Sequence, residues 1–216
     1  MSASLPEPGA AEKKRRPART NATRQKVFDA SMELIGERGA AGVTVDEIAA
    51  AAGVSKGTVY YNFGSKSDLI AQLLRYGVDI LKARLLSESG DPGAAGGPAL
   101  DPLVAMEAMI GQAMDFMADY PSFARLWVSE NWRTPSVWQD TFAVLRSELL
   151  TVIGDAIEAV AAVHPVDGTV SRGSLETAIF GACFVVGLDR VTYNPERSRD
   201  QSVAAIMAIM RGYVLK

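Results

Sequence analysis

The sequence predicts an all-α protein, and three observations carry that prediction. Apolar residues recur at three- and four-residue spacing along most of the chain, as one face of a helix requires. Capping residues and glycine or proline breakers stand where those periodic runs start and stop. No stretch shows a sustained apolar–polar alternation of the kind a half-buried strand would need, and no internal repeat is visible. With 216 residues and 48% hydrophobic content, the chain can bury a substantial core in one or two domains.

Residues 1–20 read as a disordered basic tail, since Pro6, Pro8 and Pro17 among scattered alanines offer no periodic apolar face. Lys13, Lys14, Arg15, Arg16 and Arg19 form a basic cluster, equally readable as an arm for the minor groove of DNA or as a solvated tail. A helix over 23–38 follows, with Val27, Ala30 and Leu34 inward and Gly39 and Gly42 closing it. Thr44-Val45-Asp46-Glu47 is a capping box, with Val43 and Ile48 as its hydrophobic staple. Val45, Ile48, Ala49 and Ala52 then keep helical spacing until Gly53, a left-handed C-cap.

Ser55 caps the next short helix, stapled by Val54 and Val59, and Val59 with Phe63 forms its inner face. Lys56, Gly57, Thr58, Tyr60 and Tyr61 are left pointing outward. Glycine inside a helix costs roughly 1 kcal/mol relative to alanine, which is intelligible where another backbone must approach. Two capped short helices joined by a tight turn at Gly53-Val54 form a helix-turn-helix, and the second has the profile of a recognition helix. Lys56 and Lys66 each follow a capping serine, at the positive end of a helix dipole. That placement is unfavourable for a lysine unless an anion such as phosphate docks there.

A helix over 65–87 comes next, with Leu69, Leu73, Ile80 and Leu81 toward its apolar side and a length of about 33 Å. A flexible loop is expected at 88–100, where glycine and proline crowd together. Beyond it helices are expected over 102–119, 122–132, 136–162, 167–191 and 199–214. Residues 1–90 carry 13 Lys and Arg against 10 Asp and Glu, a net of +3, and the remainder carries 9 against 15, a net of −6. A basic head on an acidic body fits a protein that meets a polyanion at one end.

The order of elements, the Thr44 cap, the run from Val54 to Phe63 and the following Lys66 resemble the DNA-binding domain of a TetR-family transcriptional regulator. The resemblance is dense over about residues 20 to 70. Beyond residue 90 it extends only to length, helicity and arrangement. It implies a three-helix DNA-binding domain over 21–66, a connecting helix over 67–87, and a ligand-binding and dimerisation domain over 101–216. It also implies roles for particular residues. Thr44, Tyr60, Tyr61 and Lys66 would hold phosphates, with Ser55 as the cap, while Lys56, Gly57 and Thr58 would lie nearest the base edges.

The body concentrates methionine and aromatic residues over 106–142, and the resemblance puts an effector pocket among these helices. Met109, Ala113, Phe116, Trp127, Trp138, Phe142 and Phe180 are the candidate lining, with Gln112, Asn131 and Glu130 as the polar groups best able to orient a ligand. Such residues also build ordinary cores. Ala178, Gly181, Ala182, Val185 and Leu188 form a stripe of small and apolar residues, and Ala205, Ile206, Ile209 and Tyr213 with Met210 stripe the last helix. They serve either as the domain's own core or, as the resemblance implies, as a homodimer interface.

Neither catalysis nor a metal is expected. His164 has no second imidazole beside it, and Cys183 is the chain's one cysteine, on an apolar face. No cofactor is therefore expected. The absence of an apolar leader and of a membrane-length apolar run reads as a soluble, cytoplasmic chain. The sequence thus predicts a homodimeric repressor, bound to a palindromic double-stranded operator and released by a small apolar or aromatic effector. The alternatives are an activator or ligand-independent regulator, or a helical small-molecule-binding protein with a vestigial DNA-binding head.

Overall fold

The structure is a computed structural model that describes residues 10–87, 100–131 and 135–215, with side chains from residue 22 onward. The loop expected at 88–100, apart from its last residue, and Trp132 lie outside the described residues, as do the first nine positions. The described chain forms α1 (Ala10–Arg38), α2 (Val45–Ala51), α3 (Lys56–Phe63), α4 (Lys66–Ser87), α5 (Pro102–Asp119), α6 (Pro121–Asn131), α7 (Gln139–Val163), α8 (Arg172–Thr192) and α9 (Arg199–Tyr213). It divides into two compact units, one ending at Lys66 and the other beginning at Ser67.

In the first unit α1 packs on α2 and α2 on α3. Val27, Phe28, Ile35, Val43, Ile48, Val59 and Phe63 are its buried core. Leu34, expected inward, is only half-buried because its neighbour Ile35 takes the inner position. α1 begins at Ala10, so part of the expected tail, residues 10–20, is helical rather than irregular. Alanine, lysine and arginine are strong helix formers, and a helix satisfies its backbone locally whether or not it has an apolar face.

The tight turn between α2 and α3 closes as a Schellman motif. Gly53 sits at φ 65° and its N–H donates to Ala50 O, while the Val54 N–H donates to Ala49 O. Only glycine takes that backbone without strain, so the angle between α2 and α3 is fixed at one residue.

The second unit is a helical bundle in which α5 and α8 are central, each packed against α6, α7, α9 and one another. α4 joins through specific contacts. A Cβ on Gly77 would overlap the Phe123 ring of α6, so the two helices approach as closely as glycine permits. Arg84 bonds Asp119 at 2.6 Å and lies over the rings of Phe116 and Tyr120. Glu148 of α7 accepts from both Arg75 and Lys82 of α4, and the Arg75 bond first, then the Lys82 bond, holds its carboxyl below the usual range.

α7 begins at Gln139 and α8 at Arg172, both later than the sequence suggests. Asp167 explains the second difference. Its carboxylate accepts from the Thr169 N–H and hydroxyl, an Asx turn that competes with helix, and Val166 bridges Val214 after α9.

Candidate functional site

In the first unit the capping box around Thr44 is complete. Thr44 Oγ1 accepts the Glu47 N–H at 3.3 Å, and Glu47 Oε2 accepts the Thr44 N–H at 2.8 Å and its hydroxyl at 2.7 Å. Arg38 adds a bond to Glu47 Oε1 at 2.8 Å. The Arg38 bond, followed by the two from Thr44, pulls the Glu47 carboxyl down to about 2.

A carboxyl depressed in the folded state contributes stability above its unfolded value near 4.3 and loses it as pH falls through the folded value. The first unit is therefore expected to lose this contribution between about pH 4.5 and pH 2. Glu47→Gln should flatten the acid limb of a thermal-midpoint profile over that range, and an unchanged limb would contradict the assignment.

α3 presents its outer face as the spacing requires. Ser55 Oγ accepts the Thr58 N–H at 3.0 Å and shares a 2.7 Å bond with the Thr58 hydroxyl. Val59 and Phe63 face inward, while Lys56, Gly57, Tyr60 and Tyr61 are exposed and Thr58 is half-buried. Tyr61 is 91% exposed, an unusual position for a large ring that has no work to do in the core. A Cβ at Gly57 would meet only Ser55 Oγ, at 3.8 Å, so the chain's own packing does not require glycine there. Lys66, first residue of α4, is half-buried.

Sequence reasoning missed the partner of Lys56. Its ammonium donates to Asp46 Oδ2 at 2.6 Å and lies 5.9 Å from the Tyr60 ring centroid. The bond to Asp46 raises the Lys56 pKa above its ordinary value. The two residues are ten apart on different helices, and only the geometry of the Gly53 turn brings them together.

In the second unit an apolar cavity of about 30 Å³ lies between α4, α5, α7 and α8. Leu81 and Leu85, Met109 and Met117, Leu149 and Ile153, and Phe180 with Phe184 face it from those four helices in turn. Of the expected lining, Met109, Ala113 and Phe180 border the cavity.

Phe116, Trp127 and Phe142 instead join an aromatic cluster with Phe123, Phe180 and Phe184. Trp127 stacks on Phe184 at 5.5 Å and meets Phe142 edge-to-face at 5.0 Å. Residues on a helix cannot all face one void, and these three fall on the side that meets other rings. The buried Trp127 Nε1 meets no acceptor among the described residues. Trp138 donates its indole N–H to the Ser67 carbonyl at 3.2 Å, which holds it at the start of α4. Gln112 and Asn131 are half-buried away from the cavity wall, and Glu130 is buried.

Cys183 borders the cavity, and burial pushes its thiol up to about 12, so it stays neutral. His164 bonds Asp101, the N-cap of α5, at 3.0 Å. No group of His, Cys, Asp and Glu among the described residues could hold a metal ion. No described helix is long and apolar enough to cross a membrane.

On the outer faces of α8 and α9, Ala178, Val185 and Ala205 are exposed, and Gly181, Ala182, Leu188 and Ile209 are half-buried. A side chain added at Gly181 would meet nothing within 4 Å. Ile206 and Tyr213, expected on this face, turn into the protein's own core, at 1% and 8% exposure. The α9 stripe is wide enough to cover both the inner face and its edge, and these two residues fall on the inner side.

Residues 27–73 match the family described as bacterial regulatory proteins, tetR family. An uncharacterized HTH-type transcriptional regulator of Bacillus subtilis, YerO, is 28% identical over 149 residues, covering 64% of this chain and 49% of that protein. The chain thus spans about half the length of that curated relative, and less of others that it matches, such as AcrR of Shigella flexneri at 24%.

Among solved structures, the transcriptional regulator FadR from Bacillus subtilis in complex with stearoyl-CoA has a TM-score of 0.72 at 16% identity, covering 87% of this chain and 98% of that one. AibR in complex with isovaleryl coenzyme A and operator DNA has a TM-score of 0.67 at 14% identity, covering 88% and 99%. At such identities these two likenesses establish the fold. The family match runs from the second half of α1 through both capped helices into α4, across the residues whose outward face has just been described, and over residues 27–73 the chain carries the helix-turn-helix domain of the tetR family of bacterial regulatory proteins.

Proposed function

We propose that the chain is a one-component transcriptional repressor that holds a palindromic operator as a homodimer and leaves it on binding a small apolar effector. The observation that carries this reading is the outer face of α3, where Lys56, Gly57, Tyr60 and Tyr61 stand in solvent on a helix anchored from behind by Val59 and Phe63. Thr44, Ser55 and Lys66 flank that face, and the set combines phosphate-holding groups with a backbone that another chain can approach. Such a protein acts in the cytoplasm, where its operator is, and catalyses nothing.

The wholly apolar wall of the cavity supports an effector with a long or branched hydrocarbon part. That two proteins of the same fold are known with stearoyl-CoA and isovaleryl coenzyme A supports an acyl thioester as its class.

Binding to duplex fragments, followed against salt, tests the DNA reading. Lys66→Ala is expected to weaken binding to all sequences and to lower the salt slope by about one unit. Thr58→Ala should instead change which bases are preferred. If Lys66→Ala left both affinity and slope unchanged, the phosphate assignment would be wrong.

For the dimer, Gly181 offers a clean test because the protomer leaves open space there. Gly181→Arg should leave the protomer folded and shift sedimentation toward monomer by placing an uncompensated charge in a packed interface. An unchanged dimer would move the interface to another face.

A further inference from the structure

We propose that Asp46 is a specificity-determining residue that competes with DNA for Lys56, so that the recognition helix engages fully only where a base edge outbids an internal carboxylate. This rests on the DNA-binding reading above and adds a residue that reading does not include.

The two acidic residues at the start of α2 do different things. Glu47 completes the capping box with Thr44 and holds Arg38, so the fold uses its carboxylate. Asp46 takes no part in that cap. Its carboxylate accepts from Lys56 at 2.6 Å, and both side chains remain more than half exposed. An exposed pair of this kind contributes little to stability, because water and salt screen it and two side chains must be held in place. What it does is electrostatic and directional: it fixes the ammonium beside α2, and it cancels one positive charge on a surface meant to meet a polyanion.

Sequence-independent attraction to DNA counts the cations free to displace counterions from phosphates. With Asp46 in place, Lys56 adds almost nothing to that count. At a matched site it has a better acceptor, since guanine O6 and N7 accept lysine in the major groove. The vacated carboxylate is then left to water or to a base amino group. At an unmatched site Lys56 stays with Asp46, and an uncompensated carboxylate faces the duplex if it leaves. The pair therefore subtracts from binding everywhere and subtracts least at the operator.

The test needs no operator. The full chain, Asp46→Asn, Lys56→Ala and the double variant are titrated with a mixed-sequence duplex of about 30 base pairs, over about 50 to 200 mM salt. Asparagine keeps the shape of aspartate and removes the charge. Asp46→Asn is expected to bind about three- to tenfold tighter at the lowest salt, with a salt slope steeper by about 0.9, the release expected for one added phosphate contact. In the Lys56→Ala background that gain should vanish. No gain in Asp46→Asn would overturn the proposal, and so would an equal gain with and without Lys56, which would make Asp46 a bare repulsive charge. Failure of the unaltered chain to bind duplex at the lowest salt would remove the DNA-binding reading itself, and this proposal with it.

Discussion

Trp127→Ala is expected to lower the stability of the C-terminal unit by about 3–5 kcal/mol, the largest single-residue effect in that unit. The indole is 1% exposed, with Phe123, Phe142, Phe180 and Phe184 around it at 5.0 to 6.2 Å between centroids. Its removal leaves a void between rings that cannot collapse onto one another, so lost transfer energy and cavity formation add. Trp127→Phe should behave very differently, costing no more than about 1.5 kcal/mol. It keeps an aromatic neighbour for Phe184 and removes a buried N–H that meets no acceptor among the described residues, a group that costs about 1–3 kcal/mol when left unpaired. Urea unfolding followed by circular dichroism measures both. A Phe variant as damaged as the Ala variant would mean that the indole N–H has a bonding partner in solution.

A large effect is also expected in binding. An effector that lowers operator affinity a hundredfold must prefer the DNA-free form by about 2.7 kcal/mol, and operator must weaken effector binding by the same factor. On the proposed reading, the expected route for this coupling is α4. It begins at Lys66, where the N-terminal unit ends, and supplies Leu81 and Leu85 to the cavity wall fifteen and nineteen residues later. Sites for drug-sized ligands run to about 300–1,000 Å³, so α4, α5, α7 and α8 must part to admit one into a void of about 30 Å³. Titration with stearoyl-CoA, with and without a bound operator fragment, read by fluorescence of the Trp127 cluster, checks the reciprocity. Equal affinities in the two titrations would exclude α4 as the coupling element.

The parts of this molecule that the sequence made legible are those whose causes are local. The Thr44–Glu47 box, the Ser55 cap and the Gly53 turn are each written within five or six residues, and all three form as expected. What stayed hidden depends on residues far apart in sequence. Lys56 and Asp46 meet only across the α2–α3 turn, and Val166 meets Val214 across nearly fifty positions. The lining of the cavity is only partly legible in the sequence for a similar reason. Aromatics and methionines announce themselves by type, and so Phe116, Trp127 and Phe142 stand out in the sequence. Leu81, Leu85, Leu149 and Ile153 look like any core aliphatic until the helices are packed. Likewise Ile206 and Ile209 share one apolar stripe, and only the packing of α9 on α5 and α8 decides that the first is inside.

For the proposed repressor, the size of the cavity also sets what it can be as a sensor. A void with room for little more than one water molecule means that the packed form described here is not the form that receives an effector. Measured affinity is then the intrinsic affinity reduced by the fraction of chains that are open. Tight packing and responsiveness are thus opposite ends of one scale. A truncation in the wall, such as Leu149→Ala, surrenders folding free energy and returns part of it as sensitivity. A better-filled wall would make a sturdier repressor that answers only to higher effector concentrations. Selection on such a chain can retune its threshold by adding or removing a methylene, without touching a single group that contacts DNA.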